Sequence, residues 1–101
     1  NKVDYMDYMF CGAELFNQPL DNWDVSNVTC MSFMFNGAKK FNQPLNSWNV
    51  SSVENMENMF RDAESFNQDI NNWDVSNDTN MKRMFDGTKS LTKLPEWYKK
   101  N

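Results

Sequence analysis

The stretch LDNWDVSNVTCMSFMFNGAKKF, from Leu20 to Phe41, carries most of the information about how this chain folds. Trp23, Asp24 and Val25 alternate apolar, polar, apolar, which reads as a short strand with Trp23 and Val25 facing inward. Ser26 and Asn27 interrupt that alternation. From Val28 the spacing changes, and Val28, Met31, Met34, Phe35 and Ala38 fall on one helical face. Gly37 stands near the end of this segment, where a left-handed cap is often needed.

The same text returns every 25 residues. Met6, Met31, Met56 and Met81 form one column, and Met9, Met34, Met59 and Met84 a second. Phe10, Phe35, Phe60 and Phe85 follow directly, then Phe16, Phe41 and Phe66 with Leu91 in the fourth copy. Trp23, Trp48 and Trp73 recur two residues ahead of Val25, Val50 and Val75. A fixed period of this length marks a stack in which each repeat buries its apolar face only against its neighbours.

Local signals refine one copy. Ser51-Ser52-Val53-Glu54 matches a capping box, with Ser26 and Ser76 in the same column as Ser51. The helix start falls at either end of that window. Phe16-Asn17-Gln18-Pro19-Leu20 and its counterpart Phe41–Leu45 then place proline where it returns the chain to an extended path. Each copy therefore reads as strand, turn, helix, turn. The predicted fold is an α/β solenoid, a right-handed stack of about four 25-residue coils. A short parallel sheet lines one face and helices the other, splayed because helices need more room than strands. The coils fall at about 3–27, 28–52, 53–77 and 78–91, with a C-terminal cap at 92–101, all in one domain. Asn17, Asn42 and Asn67 form a column, as do Gln18, Gln43 and Gln68; stacked amides of this kind bond to one another and to turn backbone.

Residues 1–80 carry twelve Asp or Glu against Lys2, Lys39, Lys40 and Arg61, a net of −8. Residues 81–101 carry +4 from Lys82, Arg83, Lys89, Lys93, Lys99 and Lys100 against Asp86 and Glu96. An acidic body argues against nucleic-acid binding, which needs clustered Lys and Arg. No apolar run approaches the roughly 20 residues of a membrane span.

The unit Met-x-x-Met-Phe-x-x-Ala-x-x-Phe-Asn-Gln-Pro-Leu-x-x-Trp-Asp-Val-Ser-Asn-Val-Thr resembles the repeat of BspA-like bacterial surface proteins and mycoplasma-type surface lipoproteins, over about residues 3–91. That repeat is grouped loosely with leucine-rich repeats. The resemblance implies a leucine-rich-repeat-like fold and a cell-surface or secreted location, with a cytoplasmic one still open. It also implies adhesion or binding of a protein partner such as a host extracellular protein. The fourth copy departs from the pattern: Asp78 replaces Val28 and Val53, Thr88 replaces alanine, and the text after Leu91 reads as a cap.

There is no histidine, which removes the commonest general base and metal ligand. No P-loop or dinucleotide fingerprint is present. No enzyme and no cofactor is expected. Asp21, Asp24 and Asp74 could offer oxygens to calcium, but without the Asp/Gly spacing of a calcium turn. Cys11 and Cys30 sit six columns apart, too distant for a disulfide if each lies on a helix, and two free thiols suit a reducing location. The sequons at Asn27, Asn49 and Asn77 coincide with repeat columns and need no glycan to explain them.

The function expected is a non-catalytic protein-interaction or adhesion module. The alternative is a structural spacer with no ligand of its own. The strand face is the expected binding platform: Asp24, Asn49 and Asp74 alternate with buried Trp and Val and point outward, flanked by Asn22, Ser47 and Asn72. Tyr8 and Phe33 share a column that becomes Asn58 and Arg83, and are expected to form a partly exposed aromatic patch.

Overall fold

A computed structural model describes residues 4–98. The expected start of the first coil at residue 3 and the last three residues of the expected cap lie outside them. In the segment from Val28 to Phe41 a helix would send each N–H four residues back. Here the N–H groups alternate between two destinations. Those of Met34, Asn36 and Ala38 donate three residues back, to the carbonyls of Met31, Phe33 and Phe35 at 3.2, 3.2 and 3.0 Å. Those of Met31, Phe33, Phe35 and Gly37 leave the copy and donate to Asn55, Glu57, Met59 and Arg61 at 2.8, 2.9, 2.8 and 2.9 Å. The first and third copies repeat the scheme, as with Phe10 to Met34 and Phe60 to Met84, both at 2.9 Å.

Each copy is thus a run of overlapping β-turns. In the turns Met31–Met34 and Phe35–Ala38 the third residue is left-handed, with φ of 60° at Phe33 and 75° at Gly37, as type II turns require. Tyr8, Asn58 and Arg83 take the same conformation in the first column, and Gly12, Asp62 and Gly87 in the second.

The α/β solenoid of helices against a parallel sheet is therefore overturned. Among the described residues there is no helix, and parallel pairing is confined to single bridges joining Tyr5, Cys30, Asn55 and Asn80. The bridges do not lie at Trp23–Val25, where the strand was expected. There the chain makes two more turns, Leu20–Trp23 and Val25–Val28, closed at 3.1 and 3.0 Å. Ser51 caps no helix; its N–H and hydroxyl both donate to Asn49 Oδ1, at 3.1 and 2.7 Å. The splayed helix face and the right-handed strand–helix crossover lose their premise with the helices. A stripe at i, i+3, i+4 and i+7 arises from consecutive turns as readily as from a helix. Left-handed residues four apart cannot sit inside a right-handed helix without strain.

The stacked copies share one core. Val28, Met31, Met34, Phe35, Ala38, Phe41 and Leu45 of the second copy are fully buried, as are Met56, Met59, Phe60, Ala63 and Phe66 of the third. Two columns of near-parallel rings run through it. Phe10, Phe35, Phe60 and Phe85 are spaced 5.6, 5.4 and 5.7 Å apart. Phe16, Phe41 and Phe66 follow at 5.8 and 6.2 Å. The tryptophans cross from copy to copy: Trp48 Nε1 donates to the Leu20 carbonyl and Trp73 Nε1 to that of Leu45, both at 2.9 Å. The amide column bonds as its stacking requires, with Asn17 Oδ1 accepting the Asn42 N–H and Asn42 Oδ1 the Asn67 N–H, at 2.9 and 3.0 Å.

Side chains cover the core at the C-terminal end. Thr88, in the alanine column, stays buried by donating its hydroxyl to the Phe60 carbonyl at 2.7 Å. Trp97 stacks on Trp73 at 6.0 Å and donates Nε1 to the Ile70 carbonyl at 3.0 Å. Tyr98 meets the edge of Phe85 at 4.9 Å. Phe85 and Met84 remain in the core as a result.

Candidate functional site

Among the described residues the N-terminal end has no such cover. Met9 and Trp23 are 43% and 40% exposed, whereas Met34 and Trp48, one copy further on, are at 0% and 4%. Phe10 and Phe16 are half-buried where Phe35 and Phe41 are fully enclosed. The backbone is open too. The carbonyls of Cys30, Ser32, Met34 and Asn36 accept N–H groups from the first copy. Their equivalents Tyr5, Asp7, Met9 and Cys11 accept nothing from the described residues.

A missing neighbour does not explain every exposed side chain there. Tyr5 and Leu15, 68% and 82% exposed, stand in columns that are Cys30, Asn55 and Asn80, or Lys40, Ser65 and Ser90, in later copies. Tyr8 is 54% exposed and lies flat on half-buried Phe33, ring centroids 4.8 Å apart and planes 6° from parallel. Both sit in the left-handed turn position, which holds the two rings side by side in successive copies. The acidic Asp4, Asp7, Glu14 and Asp21 are exposed within this copy. The first copy thus exposes several large apolar side chains, most of them aromatic, together with four acidic ones.

The six expected platform residues are all exposed, but no strand carries them. Asp24 Oδ1 accepts the Ser26 N–H at 3.0 Å and its hydroxyl at 2.6 Å, and Asn49 does the same for Ser51. These are turn-closing contacts of the Asx kind. Ser47 donates to the Asp21 carbonyl and Asn72 to the Asn46 carbonyl, each at 2.8 Å, tying one copy to the next. Asn22 and Asp74 lie exposed in the same columns. Of the expected residues, the structure brings Tyr8 and Phe33 into direct contact with each other. Column reading missed Tyr5, Met9, Leu15 and Trp23. Leu15 was visible as an apolar residue in an otherwise polar column, while Met9 and Trp23 look like core in any one sequence.

Among the described residues no three His, Cys, Asp or Glu side chains converge on a common point, so Asp21, Asp24 and Asp74 do not assemble a calcium site. Both thiols are free: Cys11 is exposed with Sγ 3.8 Å from Asn36 Oδ1, and Cys30 lies 3.4 Å from the Ser32 hydroxyl. Among the described residues no helix is long and apolar enough to cross a membrane. Tyr98 carries a raised pKa, from burial first and the nearby Asp86 carboxylate second, with a hydrogen bond from the Phe85 backbone working against both.

Turn-built copies in register define a repeat domain. The family described as "Mycoplasma protein of unknown function, DUF285" matches residues 1–97, and the chain belongs to it. Neither a curated protein nor a solved structure matches the chain.

Proposed function

We propose that this chain is a non-catalytic protein-interaction module and that its open N-terminal end is the contact surface. One observation carries this reading: Tyr5, Tyr8, Met9, Leu15 and Trp23 are all exposed within a single copy. A patch of large apolar side chains bordered by charge is the usual form of a protein contact, and aromatic residues dominate the energetics of such contacts. Exposed Asp4, Asp7, Glu14 and Asp21 favour a partner with basic groups around an apolar centre. The resemblance to BspA-like surface repeats supports a cell-surface or secreted setting and a host extracellular protein as partner.

The test is binding of the purified domain to immobilised extracellular-matrix proteins, compared with a Tyr8→Ser/Trp23→Ser variant. Binding that is lost in the variant supports the open end as the contact surface. Binding that the variant retains places the contact elsewhere. No binding by either protein favours the spacer reading.

A further inference from the structure

We propose that the cleft between the third and fourth copies is a peptide site, and that it takes the carboxamide of a glutamine side chain on an extended segment of another protein. The cleft shares no residue with the aromatic surface of the first copy, and the proposal does not rest on that surface.

Two successive boundaries show how the stack holds a glutamine. Gln43 Nε2 donates to the Asn17 carbonyl and to Asn17 Oδ1, at 3.3 and 3.1 Å. Gln68 Nε2 does the same at Asn42, at 3.2 and 3.0 Å. The residue before each glutamine adds its N–H to the same Oδ1: Asn42 to Asn17 at 2.9 Å and Asn67 to Asn42 at 3.0 Å. Just upstream, the Lys40 N–H meets the Glu14 carbonyl and the Ser65 N–H the Lys39 carbonyl, both at 3.2 Å.

The third boundary has none of these contacts, although both of its copies are present and described. The fourth copy reads Leu91-Thr92-Lys93-Leu94-Pro95 in place of Phe-Asn-Gln-Pro-Leu and reaches its tryptophan one residue sooner. Neither Ser90 nor Thr92 sends its N–H to Glu64 or Asn67, and Lys93 stands where the earlier copies have glutamine. The two copies are joined on either side of this gap. Thr88 donates its hydroxyl to the Phe60 carbonyl at 2.7 Å, and the Glu96 N–H meets Asn71 Oδ1 at 2.8 Å. Between those points they part around a cleft of about 260 Å³, lined in part by buried Ile70 and exposed Leu94. Asn67 lines it too, and among the described residues its carbonyl and Oδ1 accept nothing.

The lining selects the ligand. The Asn67 oxygens call for N–H donors and repel a carboxylate. Lys93, in the same lining, repels an ammonium group, and Asp69 balances its charge. A primary carboxamide brings two donors for Asn67 and an oxygen for the Lys93 ammonium. The additional backbone N–H that the asparagine Oδ1 takes at the inner boundaries calls for a peptide rather than a free amide. The volume falls below the roughly 300 Å³ at which pockets for drug-sized ligands begin, which suits one side chain and a short length of backbone. This chain's own Gln43 and Gln68 are already held inside the stack, so the occupant comes from another protein.

The test is an NMR titration of the domain with the capped peptide acetyl-Phe-Asn-Gln-Pro-Leu-amide, the text of residues 41–45. A second peptide carries glutamate in place of the glutamine. The side-chain amide signals of Gln68 and Asn71 report on the cleft, and the indole signals of Trp48 and Trp73 on the integrity of the stack. The expected result is saturable shifts at Gln68 and Asn71, with binding about 10-fold weaker for the glutamate peptide and for the Asn67→Ala variant. Thr92→Asn/Lys93→Gln restores the text of the inner copies, and should raise the melting temperature and exclude the peptide. The inference is overturned by the absence of saturable shifts at these amides up to about 5 mM peptide. Equal binding of the two peptides, or undiminished binding by either variant, overturns it as well. Shifts confined to the Trp23 indole place the peptide on the first copy and count against the cleft. Concentration-dependent shifts at Gln68 and Asn71 without peptide make a second copy the occupant and also overturn it.

Discussion

The Trp97 indole lies over that of Trp73, 6.0 Å away and 12° from parallel, and hydrogen-bonds to the Ile70 carbonyl at 3.0 Å. Its residue number is one short of the tryptophan period, because the text from Leu91 to Trp97 is one residue shorter than that from Phe66 to Trp73. The ring fills the fourth rung although the backbone position does not. Trp97→Ala should reopen the C-terminal end and lower the unfolding free energy by about 3 kcal/mol. Trp97→Phe keeps a ring on Trp73 and loses only the hydrogen bond, for about 1 kcal/mol. Urea unfolding of the two variants separates these effects; equal losses would show that the stacking does not matter.

Trp48 and Trp23 share a column but not an environment. Trp48 is 4% exposed and bonded to Leu20, so Trp48→Ala should cost about 3–5 kcal/mol. Trp23, 40% exposed, should cost about 1 kcal/mol on the same change, in line with partial burial. Comparable melting temperatures for the two variants would contradict the assigned order of the stack.

Asn42 Oδ1 accepts both the Asn67 N–H and Gln68 Nε2, each at 3.0 Å. Asn42→Ala leaves that N–H without its partner and should cost about 2 kcal/mol. Among the described residues the Asn67 side-chain oxygen has no equivalent task, so Asn67→Ala should stay within about 0.5 kcal/mol of the parent. Thermal unfolding of both variants tests whether the amide column is structural.

Arg83 is exposed and held at φ 56°. Arg83→Gly should therefore stabilise by up to about 1 kcal/mol, the left-handed strain less the entropy glycine adds to the unfolded chain. Gly37→Ala, at φ 75°, should destabilise by about 1–2 kcal/mol. If both changes were neutral, the turn conformations assigned to these columns would be wrong.

The raised pKa of Tyr98 comes from burial and from Asp86. The unfolded chain then loses its phenolic proton first, near the ordinary tyrosine value of about 10. Above that pH the folded state holds the proton longer, so stability is fully present below it and falls as pH rises toward the folded pKa. Tyr98→Phe should flatten this alkaline decline in melting temperature while lowering stability at neutral pH through the lost Phe85 hydrogen bond. A decline unchanged in the variant would assign it to another group.

What the sequence determined by itself is the repeat, the core columns and the stacking of like on like. Those follow from apolar periodicity, and Met31, Met34, Phe35 and Phe41 are buried as that periodicity demands. The pairing of Asn17, Asn42 and Asn67 was also legible, because identical polar residues one period apart must meet in a stack. The backbone path was not. Val28, Met31, Met34, Phe35 and Ala38 make the same stripe on a helix as on a run of turns. The choice depends on where alternate N–H groups go, and their acceptors lie in the next copy. The glycine column hinted at left-handed backbone, but Tyr8, Phe33 and Arg83 adopt it against their own preference. The open end was equally hidden. Met9 and Trp23 have the sequence of core residues, yet in the described stack they are 43% and 40% exposed.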